Sequence, residues 1–544
     1  MRPALLHAAV GSLESGRRNL EALRAARKRQ LVARALRPIN RRRTRALRSP
    51  GTLQPLESLV PLWRSRAFAS SESPAARLPD GVVQILGIDL RYPPDWSGAG
   101  LARLRRFHLH YGDEVLGCAR LGGRWLDAAS AGIASWMDEN PPAAGPGWHP
   151  YALSTRVGNW LAAFSLEPSL ATPAASKSVW HQLTFLERNV ENDILGNHLI
   201  RNARALVLGG VGFGQERWLD KGVALVEREL PEQLLSDGGH YERSPVYHAL
   251  VMRDLLEIRA AANLHRLDPL LERMAAFAAA LRRPDGNLAL FNDGGIDLAP
   301  DLSDMLPTSE AGVHFFPNTG YVVARRSADV LWLAIDCGTA APAYLPPHAH
   351  ADALSFQLWI DGRPTVIDPG TFTYEPGKER NWFRGTRAHA TVAVDAQDQF
   401  ELWGAFRATG IPAVNVVSVE GSEVKGSITA DLEAFRRIGG IRHRRRVSWS
   451  ADTIAIEDRL EGTGRRLVES ALPLAPSVAL EQRTPLRVDG IAIEPVGPLQ
   501  CVVEERPLAE RFYERVSAPA IVLRGELDLP AELGWNLRLN GGPV

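Results

Sequence analysis

The sequence predicts a multidomain chain, α then β: a helical bundle or (α/α) toroid followed by an antiparallel β-sandwich. Three observations predict it. At 544 residues the chain is too long for one ordinary core. Between about residue 100 and residue 290 its apolar residues recur with helical period, as in Leu161-Ala162-Ala163-Phe164, Trp180 to Asn189 and Ala249 to Ala262. Near residue 312 the pattern changes to short alternating runs separated by turn residues, which is the pattern of a sandwich.

Residues 1–50 form a basic arm. Residues 17–48 hold thirteen Arg and Lys against the single acid Glu21, a local charge of +12 that leaves the remainder at −11 within a net +1. With Leu20, Leu23, Leu31, Leu36 and Leu47 among the cations, the arm reads as a solvated basic segment or fraying helix, with membrane-surface or anionic-polymer contact as the functional alternative. No aromatic residue interleaves the cations, which argues against a nucleic-acid partner. The run Met1 to Val10 has too short an apolar core for a signal peptide, so the expected location is cytoplasmic, or periplasmic if the true start or an export route is missed. No apolar run reaches membrane-spanning length. Cys118, Cys337 and Cys501 lie too far apart for a thiolate metal site or a disulfide scaffold.

Residues 49–95 are rich in Pro and Ser and read as a connector with two short strands. Residues 51–310 then supply the helical domain, with Gly209-Gly210 and Pro231 expected between helices. Ser244 is placed to cap a helix that has Pro245 at its first position, with Tyr247 and His248 in the first turn. Residues 311–544 supply the strands, among them Tyr321 to Ala324, Leu331 to Ile335, Leu354 to Ile360, Thr391 to Val394, Val447 to Trp449, Thr453 to Ile456 and Trp535 to Leu539. Asp361-Gly362 reads as a hairpin turn.

The chemistry is concentrated in His348-Ala349-His350-Ala351-Asp352, Asp368 and His389. His-x-His on an extended strand edge points both imidazoles to one side, and an Asp and a third His from neighbouring strands would complete an N/O donor set suited to zinc. One imidazole is left over for proton chemistry. The helical half adds two polar clusters, Glu191 to Asn202 and Asp237 to His248, each readable as a helix start or as the rim of a site.

Four segments in order carry a specific resemblance: Gly196-Asn197-His198-Leu199; Asp237 to His248; His348 to Phe356; and Asp368 to Tyr374 followed by Asn381 to His389. Together they resemble the heparinase II/III-like polysaccharide lyases, and also some alginate lyases, over about residues 156 to 400. The resemblance implies an incomplete (α/α) toroid followed by an antiparallel β-sandwich, and cleavage of anionic, uronate-containing polysaccharides by β-elimination. It implies that Asn197, with His198 beside it, neutralises the substrate carboxylate. It assigns Tyr247 as general acid, and also as base if Arg243 favours the phenolate, with His348 as the second acid/base. Tyr241, Glu242, Arg243 and Arg384 are the implied substrate-binding residues. Tyr241 is also a rival for the acid role, and Arg384 equally reads as a partner for the Asp368 region. The implied ligands of a structural zinc are His350, Asp368 and His389, with Asp352 read as a turn residue or a partner for a His. Ala390 departs from the Asn usual after the third His, which removes a supporting hydrogen bond.

Two other classes compete. The fold could serve a non-catalytic carbohydrate-binding protein of a surface-polysaccharide pathway, which the cytoplasmic-looking start favours. A zinc hydrolase is disfavoured because no His-Glu-x-x-His occurs.

Overall fold

The computed structural model describes residues 16–43, 51–68, 78–327, 330–482 and 484–539. The helical half runs through α1 (Lys28–Arg43), α2 (Val60–Arg64), α3 (Arg103–His108), α4 (Asp113–Leu121), α5 (Trp125–Glu139), α6 (Pro150–Leu166), α7 (Pro173–Arg188), α8 (Asn197–Gly212), α9 (Glu216–Gln233), α10 (Pro245–Ala261) and α11 (Asp268–Ala280). The connector holds the two expected strands, β1 (Val82–Ile85) and β2 (Ile88–Arg91), as one hairpin.

Local chemistry sets the helix starts. Proline opens α6, α7, α10 and α11, where its fixed φ suits the helix and its missing N–H is not needed. The Thr172 and Ser244 hydroxyls cap α7 and α10 by accepting from Ala175 N and Tyr247 N. α6 and α8 are buried almost all round, as inner elements of the toroid must be. Trp63, Trp136, Trp160 and Trp218 are fully buried among these helices.

Gly209-Gly210 does not break the helical run; α8 continues through it to Gly212. Gly210 instead permits close contact with α9, because a Cβ there would sit 2.5 Å from Leu219 N. Pro231 likewise lies inside α9, in its last turn.

The sandwich has two sheets. The smaller has the order β3 (Gly312–Phe316), β4 (Tyr321–Arg325), β5 (Leu331–Asp336), β6 (Phe356–Ile360) and β7 (Arg363–Val366), all antiparallel, with Asp361-Gly362 closing the β6–β7 hairpin. The larger has ten strands and is built around β14 (Thr453–Pro473) and β19 (Glu514–Arg538). Alternation decides what each face of the smaller sheet touches. Val322, Ala324, Leu331, Leu333 and Ile335 face the larger sheet. Tyr321, Val323, Trp332 and Ala334 face Phe277, Ala280 and Leu281 of the helical half. The sheet is therefore buried on both faces, and Trp332 Nε1 donates to Ala280 O at 3.1 Å across the domain boundary.

The basic arm is not a free solvated segment over its described residues. Arg29 pairs with Glu229 at 2.8 Å and Arg37 with Asp193 at 3.0 Å, and the Arg27 guanidinium lies 3.8 Å from the centre of the Tyr344 ring. Arg17 pairs with Glu401 of the sandwich. The charge asymmetry in the sequence is thus met by docking. Leu20, Leu23, Val32 and Ile39 remain exposed on the docked arm. Among the described residues no helix is long and apolar enough to cross a membrane.

Candidate active site

The segment between α11 and β3 joins the two halves at one carboxylate. Asp293 is fully buried. Its Oδ2 accepts from Arg380 Nη2 at 2.7 Å and faces His348 Nδ1 at 3.0 Å, while its Oδ1 faces His350 Nε2 at 2.9 Å and takes a second Arg380 contact. Its backbone is also engaged: its N–H donates to His348 O, and its carbonyl accepts from Ser244 Oγ at 2.6 Å. Burial opposes the charge, but Arg380 and the two imidazoles outweigh it and hold the carboxyl well below the usual range.

The His348–His350 stretch is an irregular loop before β6 rather than a strand edge. Its two imidazoles still share a side, because both reach Asp293.

The α10 cap puts Tyr247 over this loop. Its ring stacks on His348 with centroids 3.9 Å apart, and its hydroxyl lies 2.9 Å from the Tyr374 hydroxyl. Burial, with Asp293 nearby, raises the Tyr247 phenol well above its ordinary value. The helix α8 begins at Asn197, after Gly196 at φ +63°. A side chain at Gly196 would strike Glu242, whose Oε1 accepts from Asn197 N at 2.8 Å and whose Oε2 lies 3.4 Å from His348 Nε2. Both side-chain polar atoms of Asn197 are buried with no partner. His198 faces Glu191 through Nδ1 at 3.0 Å and packs on the Tyr151 ring.

Asn197, His198, Glu242, Tyr247, His348 and Tyr374 all line one cavity of about 690 Å³ between the helical half and the sandwich. An amide with free hydrogen-bonding capacity, a neutral phenol and a carboxylate-oriented imidazole therefore converge there. That set can stabilise an anion, donate a proton and accept one.

Three expected substrate-binding residues lie elsewhere. Tyr241 is packed with Leu195, Leu199 and Leu345 in a small apolar cluster, which also removes it as a rival acid. Arg243 donates to Thr319 O at 3.0 Å and Asn318 O at 3.2 Å, so it clamps the sandwich and does not face Tyr247. Arg384 is buried and donates to the carbonyls of Gly404, Ala405 and Arg407. All three were drawn inward by backbone carbonyls or apolar neighbours that no local pattern reveals.

Beneath the cavity, His350, Asp352 and His389 form the only compact group of potential metal donors among the described residues. His350 Nδ1, His389 Nε2 and both Asp352 oxygens are buried without partners, and these orphaned atoms fit a cation held by N/O ligands. The expected Asp368 is outside this group. Its Oδ2 lies 2.9 Å from His389 Nδ1, so it holds the ring by one nitrogen and leaves the other to the donor set. Asp352, in the loop after His350, is the carboxylate that lies close to both imidazoles.

Sequence reasoning missed Asp293, Arg380 and Tyr374 as parts of the site. The signal for Asp293 was Asn292-Asp293-Gly294-Gly295, a polar turn at the domain boundary directly after an apolar run. Tyr374 and Arg380 lay within or between quoted motif segments, but nothing local marked them.

Comparison with known proteins places the chain in a family. Residues 128–321 match the family described as Heparinase II/III N-terminus, and residues 308–536 match Heparinase II/III-like, C-terminal. The chain belongs to the heparinase II/III-like family. A heparin-sulfate lyase of Pedobacter heparinus is 27% identical over 297 residues, covering 46% of this chain and 44% of that protein. The chain thus matches less than half the length of that relative. FtsZ-localized protein C of Caulobacter vibrioides is 24% identical over 424 residues, covering 72% of this chain and 66% of that protein. Among solved structures, a heparinase III shares the fold with a TM-score of 0.70 at 16% identity, covering 94% of this chain and 90% of its own.

Glu114 on the cavity wall gives a pH test of the site's burial. Burial pushes its carboxyl up to about 8. A carboxyl raised on folding costs stability as pH climbs from its unfolded value of about 4.3, and the cost is complete above the folded value. Glu114→Gln is expected to match the wild type at pH 4 and exceed its stability at pH 9 by on the order of a few kcal/mol, read by urea unfolding at both pH values.

Proposed function

We propose that the protein is a polysaccharide lyase that cleaves anionic, uronic-acid-containing glycans by β-elimination. The observation that carries this reading is the meeting of the unpartnered Asn197 amide, the Tyr247 phenol and the Asp293-held His348 in one cavity. β-Elimination removes the proton alpha to the uronate carboxylate and expels the glycosidic oxygen. The Asn197 amide, with His198 beside it, binds the carboxylate and stabilises the enolate-like intermediate. Asp293 engages Nδ1 of His348, which leaves Nε2, 3.4 Å from Glu242 Oε2, as the base. The raised Tyr247 phenol keeps its proton for the departing oxygen, and Tyr374 orients it. The kinship with heparin-sulfate lyases supports an anionic polysaccharide as the substrate class.

Purified protein incubated with a panel of uronate polymers is expected to release unsaturated ends, seen by their ultraviolet absorbance. Tyr247→Phe and His348→Ala are each expected to lower kcat by about 10² to 10⁴. Full activity in the double variant would remove the reading.

The donor group His350, Asp352 and His389 is suited to zinc, and we place a structural zinc there, bracing the loop that carries His348. Metal analysis of purified protein is expected to find zinc. Asp352→Asn should abolish it, while Asp368→Asn should weaken affinity by about 10- to 100-fold. The opposite order of the two variants would restore Asp368 as the ligand.

One observation favours a second reading, a non-catalytic glycan-binding protein working at a membrane surface. The match to a protein named FtsZ-localized protein C spans more of this chain than the lyase match quoted above. The exposed Leu20, Leu23, Val32 and Ile39 of the basic arm supply an amphipathic surface, and a cytoplasmic location would suit it. Cosedimentation with anionic vesicles, lost on deleting residues 1–43, together with glycan binding and no unsaturated ends, is the result that would favour this reading.

A further inference from the structure

The helical half carries a charge cluster that the proposed chemistry does not use, and two of its residues, Arg201 and Arg253, line the cavity. Arg201 Nε donates to Asp254 Oδ2 at 2.7 Å, and Arg204 holds Glu257 through two contacts, one of them Nη2 to Oε1 at 2.9 Å. Glu257 also accepts from Trp63 Nε1 at 2.6 Å. Each of these two guanidiniums thus has a carboxylate partner within hydrogen-bond distance. The third guanidinium, Arg253, donates to no described residue, and its Nε is buried without a partner. It lies 5.4 Å from the centre of the Phe68 ring, which holds the flat group in place. Three guanidiniums against two carboxylates leave one positive charge over.

Arg253 is half-buried, and its buried Nε has lost hydration that no described partner replaces. Its position indicates what replaces it. Arg253, Leu250 and Tyr247 lie on one face of α10 and all line the cavity. Six residues of helix set Arg253 about 9 Å further along the wall than Tyr247. The backbone offset along α10 places Arg253 further along the cavity wall than the Tyr247 that serves the reacting sugar. We propose that Arg253 is a second anion subsite, binding a carboxylate or sulfate on a sugar beyond the one that reacts. The guanidinium offers two parallel N–H donors to either group. The assignment rests on the lyase reading for its ligand, but the binding site itself does not depend on turnover.

The test uses the full chain, its Arg253→Gln and Arg253→Lys variants, inorganic sulfate, and size-defined uronate oligosaccharides with and without sulfate. Arg253→Gln should raise KM about tenfold or more, with a much smaller change in kcat, and Arg253→Lys should recover part of the loss. A KM change on both oligosaccharide sets assigns a carboxylate, and a change on the sulfated set alone assigns a sulfate. Calorimetry should show inorganic sulfate binding to the wild type and not to Arg253→Gln. Thermal melting checks that the variants fold. Unchanged KM, or sulfate binding that survives in Arg253→Gln, overturns the subsite. If no polymer yields unsaturated ends with the wild type, the lyase reading fails, while the sulfate measurement still decides the subsite.

Discussion

The Asp293 carboxylate is the point on which the site turns. It lies in the connection between the last helix of the toroid and the first strand of the sandwich. A buried carboxylate is tolerable only when its lone pairs are filled, and here Arg380, His348 and His350 fill them. The same contacts fix the orientation of the imidazole in the cavity and of the imidazole beneath it. The main chain reinforces the joint: Asn292 Oδ1 accepts from His350 N, and Thr371 Oγ1 accepts from Gly294 N. The start of α10, the His348 loop and the Asp368 turn are therefore tied to three consecutive residues, Asn292 to Gly294.

That joint explains why a cavity survives between two large bodies. The smaller sheet is covered on one side by its partner sheet and on the other by α11, so the apolar driving force for bringing the halves together is spent over that sheet. The polar helix starts at Asn197 and Pro245 lie beside this contact rather than in it. Their polar groups need partners, and Glu242 and Ser244 supply them from within the helical half. Tyr247 and Asn197 are thereby held at the cavity wall.

Charge in this protein is matched over long sequence distances. The N-terminal arginines meet Asp193, Glu229 and Glu401, so a strongly cationic segment becomes a strap from the toroid to the sandwich. Inside the toroid, Arg201 and Arg204 find Asp254 and Glu257 two turns beyond Tyr247 on α10. Arg253 is the exception to this matching, and it is the one of the three that both lines the cavity and lacks a carboxylate.

Periodicity and punctuation determined the helix-then-strand order, the β6–β7 turn and the cap at Ser244, because those depend on residues within a few positions of one another. Asn197, His198, Tyr247 and His348 were singled out together only by the family resemblance, and the fold brings them to one cavity. Tertiary structure alone decided that Arg243 and Arg384 clamp carbonyls, that Tyr241 is packed away, that Asp352 rather than Asp368 lies close to both imidazoles, and that Asp293 holds His348 and His350. The physical reason is range. Capping and alternation are satisfied by near neighbours, whereas a buried charge or an orphaned donor is satisfied by whichever group the fold brings within about 3 Å, and that group can lie hundreds of residues away.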